Sequence, residues 1–271
     1  MRRAPVITFL SDYGFSDDFV GVCHGVIASI CPRARVIDLS HGIPRHDVRA
    51  GAVVLREALP YVPIGVHLAV VDPGVGGQRR AVALRLDDGR VLVGPDNGLL
   101  GPAAEASGGI SEAADIGRSA FRLEPVSATF HGRDIFAPVA AHLAAGATVA
   151  DAGERCDPGQ LVKLEFPHPQ LEGGALVAHV IYVDRFGNLA LDAREADVAG
   201  MELRPGRRLA LEAGRSGPCE GLYGRAFAEV GAGELLVYED SNRRLAIAVS
   251  HGSAAQRLGI SVDAEVRIRL T

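Results

Sequence analysis

The chain has 271 residues, 48% of them hydrophobic, with no tryptophan and a formal net charge of −5. That is ample for a core, and the slightly acidic balance without long charge runs argues against nucleic acid as the main partner. No apolar stretch reaches the ~18–20 residues of a membrane span, and Cys23, Cys31, Cys156 and Cys219 make neither a CxxC nor a metal-ligand spacing.

The amino-terminal residues lead into a strand-like run with no signal-peptide core, so reduced cysteines and a cytoplasmic location are expected. Val6 to Leu10 reads as a strand apolar on both faces, as in a parallel sheet. It ends in an acidic loop, Ser11 to Asp18, where a dinucleotide site would carry a glycine-rich turn instead. Such a loop suits a cation or the hydroxyls of a sugar. Asp12, at the strand end, can accept two hydrogen bonds from a cis-diol. Companion ligands for Mg²⁺ are not evident, and Asp17 or Asp18 could equally cap the next helix.

That helix spans Phe19 to Ile30, with His24 read as structural, and stops at Pro32. A short strand, Val36 to Leu39, precedes a loop with His41 and His46, whose five-residue spacing is a poor metal signature. Asp47 is expected to cap a helix from Val48 to Leu59, stopped by Pro60 and Pro63.

His67 to Val71 reads as a buried strand that breaks at Asp72-Pro73-Gly74. Gly74, Gly76 and Gly77 with Pro73 mark an unusual backbone, followed by Arg79 and Arg80. In open α/β sheets ligands bind beyond the carboxyl ends of strands, which is where Asp72 stands. Ala81–Leu86 and Val91–Val93 around Asp87-Asp88-Gly89-Arg90 form a hairpin pattern. Gly94-Pro95-Asp96-Asn97-Gly98 is a further strand-end loop, and Ala103 to Glu124 gives weak signals. His131-Gly132-Arg133-Asp134 runs into a helix from Ile135 to Ala145 closed by Gly146, with Asp134 as the expected cap.

Prolines 158, 167 and 169 fall in a stretch without periodicity. The expected organisation is therefore an α/β domain over 1–155 with a mostly parallel sheet, a linker over 156–172, and a smaller all-β, barrel-like domain over 173–271. The latter reads as strands at Ala175–Val183, Leu189–Asp192, Arg207–Leu211, Glu234–Tyr238, Leu245–Val249 and Glu265–Leu270. Two polar loops stand out between them, Asp184 to Asn188 and Asp240 to Arg244.

Six segments in order, LSDYGFSDDFVG, VVDPGVGGQRR, GPDNGLL, TFHGRDIFAP, DRFGN and IAVSHGSAAQRLG, resemble the S-adenosylmethionine hydroxide adenosyltransferases, hydrolytic relatives of the fluorinase and chlorinase. The resemblance implies a homotrimer in which water displaces methionine from C5′ of S-adenosylmethionine, with no cofactor and no membrane or nucleic-acid partner. The substrate would lie between the first domain of one subunit and the second domain of its neighbour. It places the catalytic set on Asp72, Arg79 and His131, and the ribose carboxylate on Asp12, with Asp17 beside it. Phe186 and Asn188 correspond to adenine contacts, and Asp184 and Ser241 to contacts with the methionine moiety. Asp72 and His131 are expected to share the proton of the attacking water while Arg79 orients it. Competing readings are a non-catalytic S-adenosylmethionine or adenosine sensor, a halogenase, and a methyltransferase. The absent glycine-rich turn counts against the last.

Overall fold

The computed structural model describes residues 4–214 and 217–271. The chain divides between Leu164 and Glu165 into two units, each with its own core.

The first unit is built on seven strands: β1 (Val6–Ser11), β2 (Arg35–Ser40), β3 (Val66–Val70), β4 (Ala81–Leu86), β5 (Val91–Pro95), β6 (Ile110–Asp115) and β7 (Glu154–Arg155). Their order is β2-β1-β3-β5-β4-β6-β7. β2, β1, β3 and β5 are parallel neighbours, while β4 pairs antiparallel with β5 and β6. The sheet is thus mostly parallel, with β4 and the two-residue β7 reversed. β3 is buried throughout, as a strand covered on both faces must be.

The helices α1 (Phe19–Ile30), α2 (Val48–Ala58), α3 (Gly101–Ala106), α4 (Ala137–Ala145) and α5 (Val149–Ala152) cover the sheet. Ile7, Phe9, Leu68 and Val70 alternate toward one face and join a core with Cys23 and Ile27 of α1 and Val139 and Ala140 of α4. The intervening positions, Leu10, Ala69 and Val71, are equally buried toward the other face, where Gly51 of α2 lies against Val71 and Leu99.

Caps follow the sequence in part. Asp47 Oδ1 accepts Ala50 N at 2.8 Å and caps α2. Asp18 occupies the cap position of α1 without a side-chain bond. Asp134 does not cap the helix that follows it. It lies inside a π-helical turn, Gly132–Phe136, that leads into α4. The cause is Pro138, which has no N–H to give to the Asp134 carbonyl. That carbonyl instead accepts Leu123 N at 2.8 Å, and the Asp134 carboxylate accepts Ser127 N at 2.8 Å. Asp134 therefore ties the 123–127 segment to the turn.

The second unit consists of β8 (Gln170–Glu172), β9 (Ala175–Val183), β10 (Leu189–Leu191), β11 (Arg208–Ala213), β12 (Pro218–Tyr223), β13 (Leu235–Glu239), β14 (Leu245–Val249) and β15 (Glu265–Leu270), with one short helix, α6 (Ala254–Leu258). The order is β10-β14-β13-β12-β11-β15-β9-β8, and β10 also pairs with β9. Seven strands thereby close into a barrel, and β8 extends it at β9. Closure removes the free strand edges that an open sheet exposes. Alternate residues, among them Leu176, Leu211, Val237, Ile247 and Ile268, fill the interior. β12 escaped the sequence reading because Pro218 and Gly221 resemble turn residues.

Candidate active site

The carboxyl ends of β1 and β3 lie side by side, because β2 is added on one side of β1 and β3 on the other. This reversal of strand order opens a crevice at the sheet edge. Asp12 follows β1 and Asp72 follows Val71 at the end of β3. β4 runs the other way, so its amino end, with Arg79 and Arg80, reaches the same edge.

The loop from Asp72 to Arg80 folds back on itself. Arg79 Nε donates to both Asp72 oxygens, at 2.9 and 3.0 Å, and Arg79 Nη2 also bonds Oδ2. Arg79 Nη2 further meets His131 Nδ1 at 2.8 Å. The guanidinium carbon stands 5.2 Å from the centroid of the Phe136 ring, which supports it from the other side. The side chains of Asp72 and Arg79 are 6% and 11% exposed, so the pair is largely withdrawn from water.

Two glycines allow this assembly. Gly76 has φ +74°, and a Cβ there would fall 2.2 Å from the Ala128 carbonyl oxygen. Only glycine lets the 74–77 backbone lie against the segment that leads to His131. A Cβ on Gly132 would fall 2.1 Å from Tyr13 Oη. Tyr13 is thereby packed under the loop, in edge contact with Phe130 at 5.9 Å, and Phe19 meets Phe130 at 5.0 Å. Burial, followed by charges including Asp12 and Asp72, pushes the Tyr13 phenol well above its ordinary range, so it remains protonated.

Arginine has no acceptor. His131 Nδ1 must therefore offer its lone pair to Arg79, which leaves the proton of the neutral ring on Nε2. Burial first, then Arg79, lowers the His131 pKa. The imidazole is thus a neutral donor through Nε2. Asp72 and His131 were expected to share a proton, but Arg79 stands between them as the common partner.

Asp12, Asp17, Asp72 and His131 line one cavity of about 260 Å³, together with Tyr13, Phe19, Arg45, His46, Val75, Thr129 and Gly132. Asp12 Oδ2 accepts the backbone N–H of His46 at 3.0 Å, and His46 adopts φ +65°. Asp17 is exposed at the rim. The Gly94–Gly98 loop acts from behind: Asn97 Nδ2 donates to the Val71 carbonyl at 2.8 Å, and Asp96 accepts from Arg80 and from Val162 N, both at 2.8 Å. Tyr13 and Asn97 were given no role from sequence, and Gly76 was marked only as one of three glycines in an unusual loop. The strand-end position of Asn97 was its signal; Tyr13, in the acidic loop after β1, carried none of its own.

In the second unit, Asp184 organises its own loop. Its Oδ1 accepts Phe186 N and Asn188 N, at 2.8 and 2.9 Å, and its Oδ2 accepts Asn188 Nδ2 at 2.8 Å. The Phe186 ring is 68% exposed, with the Arg185 guanidinium 5.4 Å from its centroid. Ala255 N donates to Gly187 O at 3.0 Å, so this loop lies near the carboxyl end of β14. Ser241 is exposed in the turn at the amino end of that strand, where Asp240 Oδ1 accepts Asn242 N and Arg244 N. Burial, with Asp240 and Asp184 nearby, raises the Tyr238 phenol to about 12.

Residues 7–153 match the family model of the SAM hydroxide adenosyltransferase N-terminal domain, and residues 178–267 match that of its C-terminal domain. The chain belongs to the SAM hydroxide adenosyltransferase family. The (R)-S-adenosyl-L-methionine hydrolase of Salinispora tropica is 48% identical over 268 residues, 99% of each chain. The fluorinase of Nocardia brasiliensis is more distant, at 29% identity over 97% of this chain and 98% of its own. The solved structure of an uncharacterized conserved protein from Thermotoga maritima superposes with a TM-score of 0.91 at 35% identity, covering 97% of this chain and 99% of that one.

Proposed function

We propose that the chain hydrolyses S-adenosyl-L-methionine to adenosine and L-methionine by attack of water at C5′. The carrying observation is the Asp72–Arg79–His131 unit at the carboxyl edge of the sheet, facing a cavity lined by three carboxylates. A sulfonium is cationic, and a cavity with Asp12, Asp17 and Asp72 suits it. A halide would meet the Asp72 carboxylate, which disfavours halogenation.

Water has a pKa of ~15.7 and an aspartate ~3.9, so complete proton transfer before attack would cost roughly 16 kcal/mol. The proton therefore leaves late. As the C5′–O bond forms and the C5′–S bond breaks, the electron pair passes to sulfur, which departs as a neutral thioether. The attacking oxygen becomes strongly acidic in the same step and gives its proton to Asp72. His131 Nε2–H donates to the water oxygen and aims it, while Arg79 fixes both partners. No general acid is needed for the leaving group, and no cofactor is proposed for the reaction.

Asp12 is assigned the ribose hydroxyls, with Asp17 beside it. Phe186 and Asn188 are assigned adenine, and Asp184 and Ser241 the methionine moiety. The oligomer is proposed to be a homotrimer, and sedimentation at three times 28.4 kDa tests that. Among the described residues, no helix is long and apolar enough to cross a membrane.

The deciding experiment is incubation with S-adenosyl-L-methionine in ¹⁸O water without halide. Adenosine labelled at the 5′-oxygen and unlabelled methionine are expected. Ligand retention without turnover would favour a sensor, and 5′-chloroadenosine formed only with chloride would favour a halogenase.

A further inference from the structure

Away from the cavity, α1, β2 and the loop after β2 bring together three side chains that the reaction does not use. His24 Nε2 lies 2.9 Å from Asp38 Oδ1, and His41 Nε2 lies 3.0 Å from the same oxygen. The potential ligand atoms of all three residues fall within 4.8 Å of one another. His41 is 1% exposed, held between the edges of Phe9 and Phe15. Its Nε2 approaches Asp38 without hydrogen-bond geometry and is a buried nitrogen with no hydrogen-bond partner. A buried polar atom without a hydrogen-bond partner is destabilising. This one points at a carboxylate that a second imidazole also faces.

We propose that His24, Asp38 and His41 bind one divalent transition cation of the Zn²⁺ or Co²⁺ class. Two imidazole nitrogens and one carboxylate are the donors such ions prefer, whereas Mg²⁺ and Ca²⁺ favour all-oxygen sites. Ligand bonds of roughly 2.0–2.2 Å place tetrahedral donor atoms roughly 3.3 Å apart. The two short separations here need to open by less than an ångström. The outer partner is already in position: His41 Nδ1 meets Ser11 Oγ at 2.7 Å, and that hydroxyl can accept the Nδ1 proton when Nε2 turns to a metal. His24 and Asp38 are each about one-third exposed, so a hydrated ion can enter and keep a water as its fourth ligand. None of the three side chains lines the cavity that holds Asp72. The site adjoins it through Ser11, which precedes Asp12, through Gly14 N, which donates to His41 O at 2.8 Å, and through the loop after His41, where His46 N donates to Asp12 Oδ2 at 3.0 Å. The bound ion is therefore a staple of α1 and β2 beside the Asp12 loop, not a reactant.

The test uses the metal-stripped full-length chain, titrated with Zn²⁺ and with Co²⁺ and then gel-filtered. About one equivalent per chain is expected, with the visible bands of four-coordinate Co²⁺ and a higher melting temperature. His24→Gln and Asp38→Asn should each weaken binding at least about 100-fold and abolish the metal-induced rise in melting temperature. His24→Gln changes a side chain about one-third exposed, and its metal-free melting temperature reports that it folds. Absence of stoichiometric binding by the parent chain, or binding retained by both variants, would overturn the proposal.

Discussion

The neutral tautomer of His131 follows from one bond, the donation from Arg79 Nη2 to Nδ1. If the ring acts as a donor through Nε2, His131→Gln retains an N–H at the same reach and His131→Ala does not. We expect kcat to fall about 10-fold for the glutamine variant and about 1,000-fold for alanine; equal losses would return His131 to the role of base. In the parent enzyme the rate should decline as pH drops below the ordinary histidine value of ~6.5, through the lowered pKa of the ring, because protonation removes the Nδ1 lone pair. Arg79→Met should raise the His131 pKa, since the guanidinium charge is among the causes that lower it. An imidazole NMR titration that moved downward or not at all would contradict the assignment.

At the scale of elements, the two catalytic loops meet because one lacks a side chain. Gly76→Ala places a methyl group against the Ala128 carbonyl and asks alanine to hold φ +74°. The strained backbone alone costs roughly 1–2 kcal/mol. A lower denaturation midpoint, together with a kcat loss of about 10-fold or more, is the expected result. A variant with parental kinetics would show that the loops do not depend on that approach. Much of this level was legible in the chain. The apolar runs of β1, β3, β9, β14 and β15 and the hairpin around Asp87–Arg90 announced themselves by period and by turn residues. β6 and α3 did not, because Gly101, Pro102, Gly108 and Gly109 break the pattern on either side of short elements. Asp72, Arg79 and His131 were each visible at strand or helix ends. That Arg79 stands between the other two was not, because it depends on two loops more than fifty residues apart meeting at Gly76. Likewise, His24, Asp38 and His41 become neighbours only once β2 is laid beside β1.

For the molecule as a whole, the acid limit of stability is set partly inside the sheet. His67 on β3 is fully buried, with Nδ1 at 2.9 Å from Thr8 Oγ1 on β1. Burial, then the charge of Arg90, pushes its pKa down to about 4. Below ~6.5 the unfolded chain takes up a proton that the folded chain refuses until about pH 4. Stability must therefore fall as pH drops through that window, by about 3 kcal/mol from this residue. Urea unfolding at pH 7 and pH 4 checks it: His67→Gln should lose less stability over the interval than the parent chain, and an equal loss would exclude His67 as the source.

Within the closed barrel the first strand, β9, lies next to the last, β15, so that Leu176 pairs opposite Ile268. The segments that enter and leave the closed barrel thus belong to adjacent strands, with β8 as an added strand before the first of them. A few added residues could join them, and the chain could be reopened at an exposed turn such as the one containing Gly206 without changing any strand's neighbours. Such a circular permutant would keep Asp184, Phe186, Asn188 and Ser241 in their present loops while giving the barrel new termini. The order in which this half of the chain is written is, in that sense, separable from the shape it adopts.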